Sequence, residues 1–152
     1  MTGDFASLER LSQAAARLAQ VPALAAKAVA DGLYELIQDQ FDAGTDPYGT
    51  AWEPLAESTL ATGRHEPPLT DTRGLRESLN VYARARGGEL SGGVALSIGR
   101  PGHPAAPHQT GWQGSQGDGP ARPILPERAE IPATWRELIE EATDEAIGRV
   151  LA

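Results

Sequence analysis

Two histidines and an aspartate lie close together in a segment rich in glycine and proline, and residues of these types can do chemistry. His103 and His108 are five residues apart, and Asp118 follows ten residues after His108. Such a cluster could bind a metal ion or transfer protons, because histidine changes charge near neutral pH. A zinc site, however, needs three or four ordered ligands, and no nucleophile lies in a recognisable motif. A small metal- or histidine-dependent hydrolase that uses the loop 103–118 is therefore the alternative hypothesis.

The same segment, 99–125, contains residues that suit a fixed docking loop better than a catalytic centre. His108, Gln109 and Gly111 are of types that form a hydrogen-bonded turn; Trp112 follows them, and Arg122 precedes an apolar Pro-Ile-Leu stretch. A long irregular segment in a compact domain usually serves a function. We expect these residues to contact a partner, and we assign no catalytic, metal-binding or cofactor-binding residue and no cofactor.

Composition and missing motifs exclude several classes of protein. The chain has 13 Lys and Arg against 21 Asp and Glu, a formal charge of −8, which argues against a surface that wraps DNA or RNA. It contains no cysteine, so disulfides, thiolate metal sites and thiol nucleophiles are excluded. No stretch resembles a signal peptide or a membrane span, and no P-loop, Gly-x-Ser-x-Gly, His-Glu-x-x-His or Rossmann motif is present. We expect no enzyme, no membrane partner and no specific nucleic-acid partner.

The first third of the chain has the apolar spacing of two helices. In residues 4–20 an apolar stripe recurs at three- and four-residue intervals: Phe5, Leu8, Leu11, Ala15 and Leu18. Pro22 restarts the helix, and a longer helix runs to about Ala43, where Gly44 provides a C-terminal stop. The next residues, Asp46-Pro47-Tyr48-Gly49, have the composition of a tight turn. We expect Trp52 to pack on the core and hold this turn segment in place.

The middle of the chain changes to the two-residue period of strands. A short helix capped by Thr70 and containing Leu75 leads into two predicted strands, 79–86 and 93–99, joined by Gly-Gly-Glu-Leu-Ser-Gly-Gly. Val81, Ala83 and Ala85, and then Val94, Leu96 and Ile98, are expected to face the core. Tyr82, Arg84 and Arg86 are expected to face outward or toward a partner. A further short strand is predicted at 121–126.

The last helix has the clearest local pattern. Thr134 and Glu137 are spaced as a capping box, and one apolar face follows. That face contains Trp135, Leu138, Ile139, Ala142, Ala146 and Val150. The element order predicts an α+β fold: a small, mostly antiparallel sheet flanked by N-terminal helices and a C-terminal helix, with a long Gly/Pro-rich loop. We predict a single domain, 1–152, with helices at 4–43, the sheet and loop at 79–126 and the last helix at 134–151.

Several segments together resemble one protein family. They are Asp46-Pro47-Tyr48-Gly49-Thr50-Ala51-Trp52-Glu53-Pro54-Leu55, residues 69–79 (Leu-Thr-Asp-Thr-Arg-Gly-Leu-Arg-Glu-Ser-Leu), Ala105-Ala106-Pro107-His108-Gln109-Thr110-Gly111 and Ala121-Arg122-Pro123-Ile124-Leu125. In this order they are similar to the virion morphogenesis, or tail completion, proteins of tailed bacteriophages, which are related to neck and minor tail components. The chain departs from the family pattern where Pro104 stands for a tyrosine and where Arg73 separates Thr72 from Gly74.

The resemblance implies a structural protein of the virion. A subunit of this family would be a tail completion, tail terminator or neck protein at the head–tail junction or in the tail, assembled in the host cytoplasm. It would form a ring with itself, with a hexamer expected, and dock to connector or neck and tail tube proteins. DNA would pass through the ring without specific binding. As interface residues we predict His108, Gln109, Gly111, Trp112 and Arg122, together with Arg84 and Arg86.

Overall fold

The computed structural model describes residues 5–70, 74–86, 89–96, 105–114, 117–127 and 130–152, with the backbone alone for 5–8, 89–96 and 105–107. Six helices and two strands occur in these ranges, which makes the fold α+β as predicted. In chain order they are α1 (Phe5–Leu18), α2 (Val21–Ala43), α3 (Glu57–Leu60), α4 (Gly74–Glu77), β1 (Leu79–Arg86), β2 (Glu89–Leu96), α5 (Ala105–Thr110) and α6 (Ala133–Leu151). None of the described helices is long and apolar enough to cross a membrane.

Helix α2 is the central element, since it packs against both β1 and α6. Its buried face repeats at helical spacing, and Ile37 and Phe41 have no exposed surface. The helix ends as predicted: Gly44 adopts φ 66°, ψ 41°, a left-handed conformation that glycine reaches without a steric penalty. The larger core cluster gathers around this face and consists of Val29, Leu33, Ile37, Phe41, Trp52, Leu75, Leu79, Ile124, Trp135 and Ala142.

Helix α6 confirms the predicted apolar face but begins differently. Trp135, Ala142, Ala146 and Val150 are buried, and Leu138 and Ile139 pack against the core. The predicted capping box is wrong, because Pro132 is the N-cap and Thr134 is already the second helical residue. Pro132 has an extended backbone, and its carbonyl accepts the first helical hydrogen bond, from Arg136. A proline has no polar side chain to cap with, so α6 starts without this stabilisation.

Strands β1 and β2 form one antiparallel hairpin, with pairs running from Leu79 opposite Leu96 to Arg86 opposite Glu89. β1 has its predicted bounds, but β2 begins at Glu89 instead of residue 93. The connection is thus residues 87–88, a length typical of tight hairpins, and not the predicted seven-residue turn. Val81 and Ala83 pack on the core, whereas Ala85 is exposed, contrary to prediction. The predicted inward faces of Val94, Leu96 and Ile98 lie outside the described side chains.

The strand predicted at 121–126 is wrong: the chain there has no strand partner among the described residues, and it bends at Ile124 and Leu125. The amide groups of Ile124 and Leu125 instead bond to the side chain of Gln109. Helix α5, which carries Gln109, was not predicted. Its six residues lie in the Gly/Pro-rich segment, where composition favours loops.

Helix α1 was predicted correctly as a helix, but the side chains of its apolar stripe that the structure describes, from Leu11 to Leu18, are not in the core. Leu11 is 67% exposed and Leu18 is 45% exposed. The helix touches the body through α6. Near that contact a smaller core cluster joins Val21 and Ala25 of α2 to Ala146 and Val150 of α6.

Candidate docking site

The 105–125 segment is held in place by the amide side chain of Gln109 at the end of α5. Its oxygen accepts hydrogen bonds from the backbone N–H groups of Ile124, at 2.9 Å, and Leu125, at 3.0 Å. Its nitrogen donates to the Leu125 carbonyl at 2.7 Å. A glutamine amide has one acceptor oxygen and two donor hydrogens, so this side chain can satisfy all three backbone groups at the bend. The backbone at the predicted His-Gln turn is helical, and it is the Gln109 side chain that holds the 124–125 backbone in place.

Gly111 and Trp112 lead the chain out of α5 into a narrow loop that comes back toward Gln109. We call the described residues of this loop, from 111 to 125, the return. Gly111 has φ 77°, and a Cβ there would lie 2.9 Å from the Gly119 carbonyl oxygen. Trp112 and Gly119 exchange two backbone hydrogen bonds, of 2.8 and 3.1 Å. A Cβ on Gly119 would come within 2.1 Å of the Trp112 ring. Both glycines are thus needed for this close approach.

The Trp112 ring lies at the surface of the return, where 40% of the residue is exposed. Its inner side meets His108, with ring centroids 5.4 Å apart and planes at 85°. This edge-to-face geometry is favourable for two aromatic rings. The two rings therefore form an aromatic surface in a defined position. Aromatic residues are enriched at protein interfaces.

Arg122 is buried, with 5% of its surface exposed, and joins the return to the loop after Trp52. Its Nε donates to the Glu53 carbonyl at 2.8 Å and its Nη2 to the Pro54 carbonyl at 3.1 Å. Burial lowers the pKa of Arg122 below its usual value, and the charges of Glu53 and Glu66 oppose that shift. Although we predicted it as an interface residue, in the folded chain Arg122 braces the site from within.

Two further side chains hold the same segment and were not predicted as site residues. Gln40 of α2 donates from Nε2 to the Ile124 carbonyl at 3.1 Å, and Trp52 donates from Nε1 to the Pro123 carbonyl at 2.9 Å. The signal for Gln40 was a polar residue on the apolar face of α2. The Asp46 turn that precedes Trp52 is confirmed, because the Asp46 carboxylate accepts from the amides of Tyr48 and Thr50, each at 2.8 Å.

An open groove of about 630 Å³ lies between the 53–69 region and the return. Leu69, on one wall, has φ 70°, a left-handed conformation that is strained for a leucine. The polar and aromatic residues that line the groove are Glu53, Thr59, Arg64, His65, His108, Trp112, Asp118 and Arg122. The groove therefore combines apolar walls with many polar groups, which can fix the orientation of a bound partner.

The structure brings together some of the predicted residues and not others. His108, Trp112 and Arg122 line the groove, whereas Arg84 and Arg86 are exposed on the hairpin and do not line it. The Arg84 guanidinium lies 5.3 Å from the centre of the Tyr82 ring, within range of a cation–π interaction. His103 lies outside the described residues. Among the described residues, no group of three or more His, Asp or Glu side chains is placed to hold a metal ion.

Hydrogen bonds join three of the four sequence segments that resemble one family: Trp52 donates to the Pro123 carbonyl, the Glu53 carbonyl accepts from the Arg122 side chain, and α5 bonds to the backbone of residues 122, 124 and 125. From the fourth segment, Leu75 and Leu79 lie in the same core cluster as Trp52 and Ile124. A family model for phage virion morphogenesis matches residues 4–148. The chain belongs to the phage virion morphogenesis family. This membership means a structural role in assembling the phage virion, in association with other virion proteins. No curated protein and no solved structure matched the chain.

Proposed function

We propose that this phage virion morphogenesis protein is a non-enzymatic ring subunit, a tail completion, tail terminator or neck protein at the head–tail junction. The observation that carries the proposal is the family match, which spans nearly the whole chain, 4–148. The ring, with six copies expected, would dock to connector and tail tube proteins. This role requires surfaces that already have a defined structure in the free subunit and that bind other proteins.

The groove and the return meet that requirement. The return is held by Gln109, Gln40 and Arg122, so its exposed ring, Trp112, is presented in a defined position. Pre-positioned aromatic side chains lose little conformational freedom on binding and contribute strongly to interfaces. We propose that this surface binds an adjacent subunit or an adjacent ring.

The charge of the chain supports passage of DNA rather than binding of it. The formal charge is −8, and phosphates are repelled by carboxylates. A ring of such subunits would leave DNA free to slide through its opening. Isolated protein should accordingly show no salt-sensitive binding to duplex DNA; tight binding that weakens with salt would contradict this part of the proposal.

The assembly state tests the proposal directly. Size-exclusion chromatography with light scattering, and native mass spectrometry, should show a closed oligomer of the isolated protein or of the protein mixed with tails. Electron microscopy of particles carrying the labelled chain should place it at the head–tail junction or in the tail. A protein that stays monomeric and is absent from purified particles would contradict the proposed role.

Two substitutions test the docking surface. His108→Ala and Trp112→Ala should each lower assembly of infectious particles while the monomer stays folded, because Trp112 is partly exposed and His108 supports it. Ile131→Ala is the matched control, since Ile131 is 50% exposed and does not line the groove. Equal particle yields for all three variants would show that the return is not a docking surface.

The groove also gives a specific reason to test a hydrolase. His65, His108 and Asp118 all line the groove, and histidine and aspartate side chains can transfer protons or, when brought together, bind zinc. Metal analysis of the purified protein separates the two functions. Stoichiometric zinc that is lost in Asp118→Asn and His108→Ala would favour the hydrolase over the ring subunit.

A further inference from the structure

Strand β1 presents a basic face on the side of the hairpin that does not pack on the core. Leu79, Val81 and Ala83 pack on the core, so the alternate residues of the strand lie on the opposite face. These alternate residues are all exposed: Asn80, Tyr82, Arg84 and Arg86. Two arginines on one exposed face form a local basic surface in a chain whose formal charge is −8. We call Tyr82, Arg84 and Arg86 the basic strip.

A contact within the strand positions the basic strip. The Arg84 guanidinium lies 5.3 Å from the centre of the Tyr82 ring, and 44% of Tyr82 is exposed. A guanidinium carries five N–H donors, so an arginine beside a ring can bind a carboxylate at the same time. Tyrosine and arginine are enriched among the residues that contribute most to protein interfaces. The basic strip therefore suits a partner surface that carries carboxylates.

Helix α6 carries such a surface on the side away from the core. Within the described part of the chain, four of its exposed carboxylates are in no ion pair: Glu137, Glu140, Glu141 and Asp144. We call these four residues the acidic face of α6. The arginines near the two ends of the helix have other partners, since Arg136 pairs with Glu130 and Arg149 pairs with Glu145. Like charges three and four residues apart on a helix repel one another, so a basic partner would stabilise this face.

The spacing of the two surfaces agrees. Outward residues of a strand are two residues apart, about 6.6 Å at ~3.3 Å per residue. Residues one turn apart on a helix face are four residues apart, about 6.0 Å at ~1.5 Å per residue. Two strand steps can therefore align with two helix turns: Tyr82, Arg84 and Arg86 with Ala133, Glu137 and Glu141. Ala133 is small and exposed, so a tyrosine ring has room on the first turn of α6.

The acidic pair on α2 fits the basic strip less well. Glu35 and Asp39 are exposed and have the same four-residue spacing. The residue one turn before Glu35 is Asp31, which is paired with Lys27, and an aromatic ring would meet this ion pair instead of an alanine. The charge of Asp39 also already acts on Arg76. The acidic face of α6 is therefore the better complement.

A second copy of the chain supplies this complement. Strand β1 and helix α6 both pack against α2, and within the described part of the chain the basic strip and the acidic face make no ion pair with each other. Copies with a charge of −8 repel one another, so self-association requires a local contact between opposite charges. Both surfaces lie within residues 4–148, the part of the chain that matches the family.

We propose that the basic strip of one copy binds the acidic face of α6 in the next copy, with Arg84 facing Glu137 and Arg86 facing Glu141. The two surfaces differ, so the contact is heterologous, and it generates a ring where its rotation closes. The inference rests on the proposed function, because it names the contact between neighbouring ring subunits.

Charge reversal tests this contact. Arg84→Glu with Arg86→Glu makes both surfaces acidic, and Glu137→Lys with Glu141→Lys makes both basic. Each double variant alone should need at least tenfold more protein than the wild type for half-maximal oligomerisation. An equimolar mixture should assemble as the wild type does, because the strip of each variant then meets a helix of opposite charge. Native mass spectrometry should find the two variants in equal numbers in each ring, since neighbours must alternate.

Matched controls repeat the same charge changes elsewhere. Arg10→Glu with Arg17→Glu reverses two exposed arginines of α1, and Glu35→Lys with Asp39→Lys reverses the acidic pair of α2. Neither control should change oligomerisation at physiological salt, where distant exposed charges are screened. If the α2 variant, and not the α6 variant, restores assembly when mixed with the strip variant, α2 is the acceptor and the proposal is overturned.

Duplex DNA is the other anionic surface that the basic strip could contact. Fluorescence anisotropy with labelled duplex DNA distinguishes this possibility. If Arg84→Glu with Arg86→Glu abolishes DNA binding and leaves oligomerisation unchanged, the strip binds DNA and the proposal is overturned.

Crosslinking locates the contact, since the chain has no cysteine. Chains with both Tyr82→Cys and Ala133→Cys should give a ladder of oligomers with a short bismaleimide, ending at the ring size. A mixture of the two single variants should give dimers only, and each single variant alone should give none. Dimers of one single variant alone, capture of a different virion protein, or rings that form without a ladder would each overturn the proposal.

Failure of this inference is distinct from failure of the proposed function. If the wild-type chain forms rings and both charge-reversal variants form them equally well, the contact between β1 and α6 is wrong and the ring stands. If the wild-type chain neither oligomerises nor enters particles, the proposed function is wrong, and the inference fails with it.

Discussion

Replacing Gln109 with alanine should remove the hydrogen bonds that hold the return against α5. The substitution removes the partner of three backbone groups, Ile124 N–H, Leu125 N–H and Leu125 C=O, which lie 2.9, 3.0 and 2.7 Å from the amide. At about 1 kcal/mol for each net hydrogen bond, the loss is about 3 kcal/mol. For a chain of this size, that corresponds to a fall of about 6–12 °C in the melting temperature.

Urea unfolding followed by circular dichroism measures this free energy, and Gln113→Ala is the matched control. Gln113 is a glutamine of the same segment whose side chain is exposed, so its loss should change stability by less than about 0.5 kcal/mol. If Gln109→Ala is as stable as Gln113→Ala, the three hydrogen bonds of Gln109 do not hold the return in place, and our account of it is wrong.

Gln109→Glu separates the acceptor from the donors. A carboxylate still accepts from the two amides, but it cannot donate to the Leu125 carbonyl, and it lies near Glu127, which the Gln109 nitrogen reaches at 3.3 Å. Protonation restores one donor. Both effects should raise the pKa of this carboxyl in the folded protein, so the Gln109→Glu variant should gain stability relative to wild type as the pH falls toward about 4.3, the ordinary glutamate pKa, with the gain complete below that pH. A pH-independent difference would contradict this explanation.

Three other perturbations have definite expected outcomes. Trp135→Ala should cost about 3–5 kcal/mol in urea unfolding, because Trp135 is 8% exposed in the core; unchanged stability would show that α6 packs elsewhere. Asp42→Asn should destabilise the protein at neutral pH, since the hydrogen bond from Arg76 lowers the pKa of Asp42 below its usual 3.8. That contribution is complete above the unfolded pKa and is lost as the pH falls through the folded one, so the two proteins should converge at low pH; a constant gap would refute the pairing. Gly119→Ala should displace the Trp112 ring and increase quenching of tryptophan fluorescence by iodide, whereas Gly148→Ala, which has open space around it, should not.

Local features of the chain could be predicted because their causes lie within a few residues. The end of α2 at Gly44 depends on one glycine, and the apolar face of α6 depends on spacing within one helix. The Asp46 turn depends on one carboxylate and the next four residues. In each case the physical cause is visible in the sequence itself.

The errors occurred where a distant residue decides the local structure. Ile124 and Leu125 favour a strand at 121–126, but the chain bends there, and the hydrogen-bond partner of its backbone is a side chain 15 residues away. The exposure of Leu11 and Leu18 on α1 could not be predicted, because periodicity tells which residues share a face and not what covers it. The predicted Thr134 cap is wrong because the helix already begins at Ala133, with Pro132 as its N-cap.

The candidate site shows the same division. The residue types of His108, Gln109 and Trp112 indicated a functional segment in the sequence. In the structure these residues lie at the centre of the candidate docking site. The inward position of Arg122 could not be read from the sequence, because it depends on the Glu53 and Pro54 carbonyls almost 70 residues earlier.

The Gln109 bonds also affect how the chain behaves before assembly. Extended backbone with open N–H and C=O groups is a template on which another chain can add a strand, and this is a route to aggregation. At Ile124 and Leu125 those groups are already occupied by one side chain. These three backbone groups are therefore not available to pair with another chain.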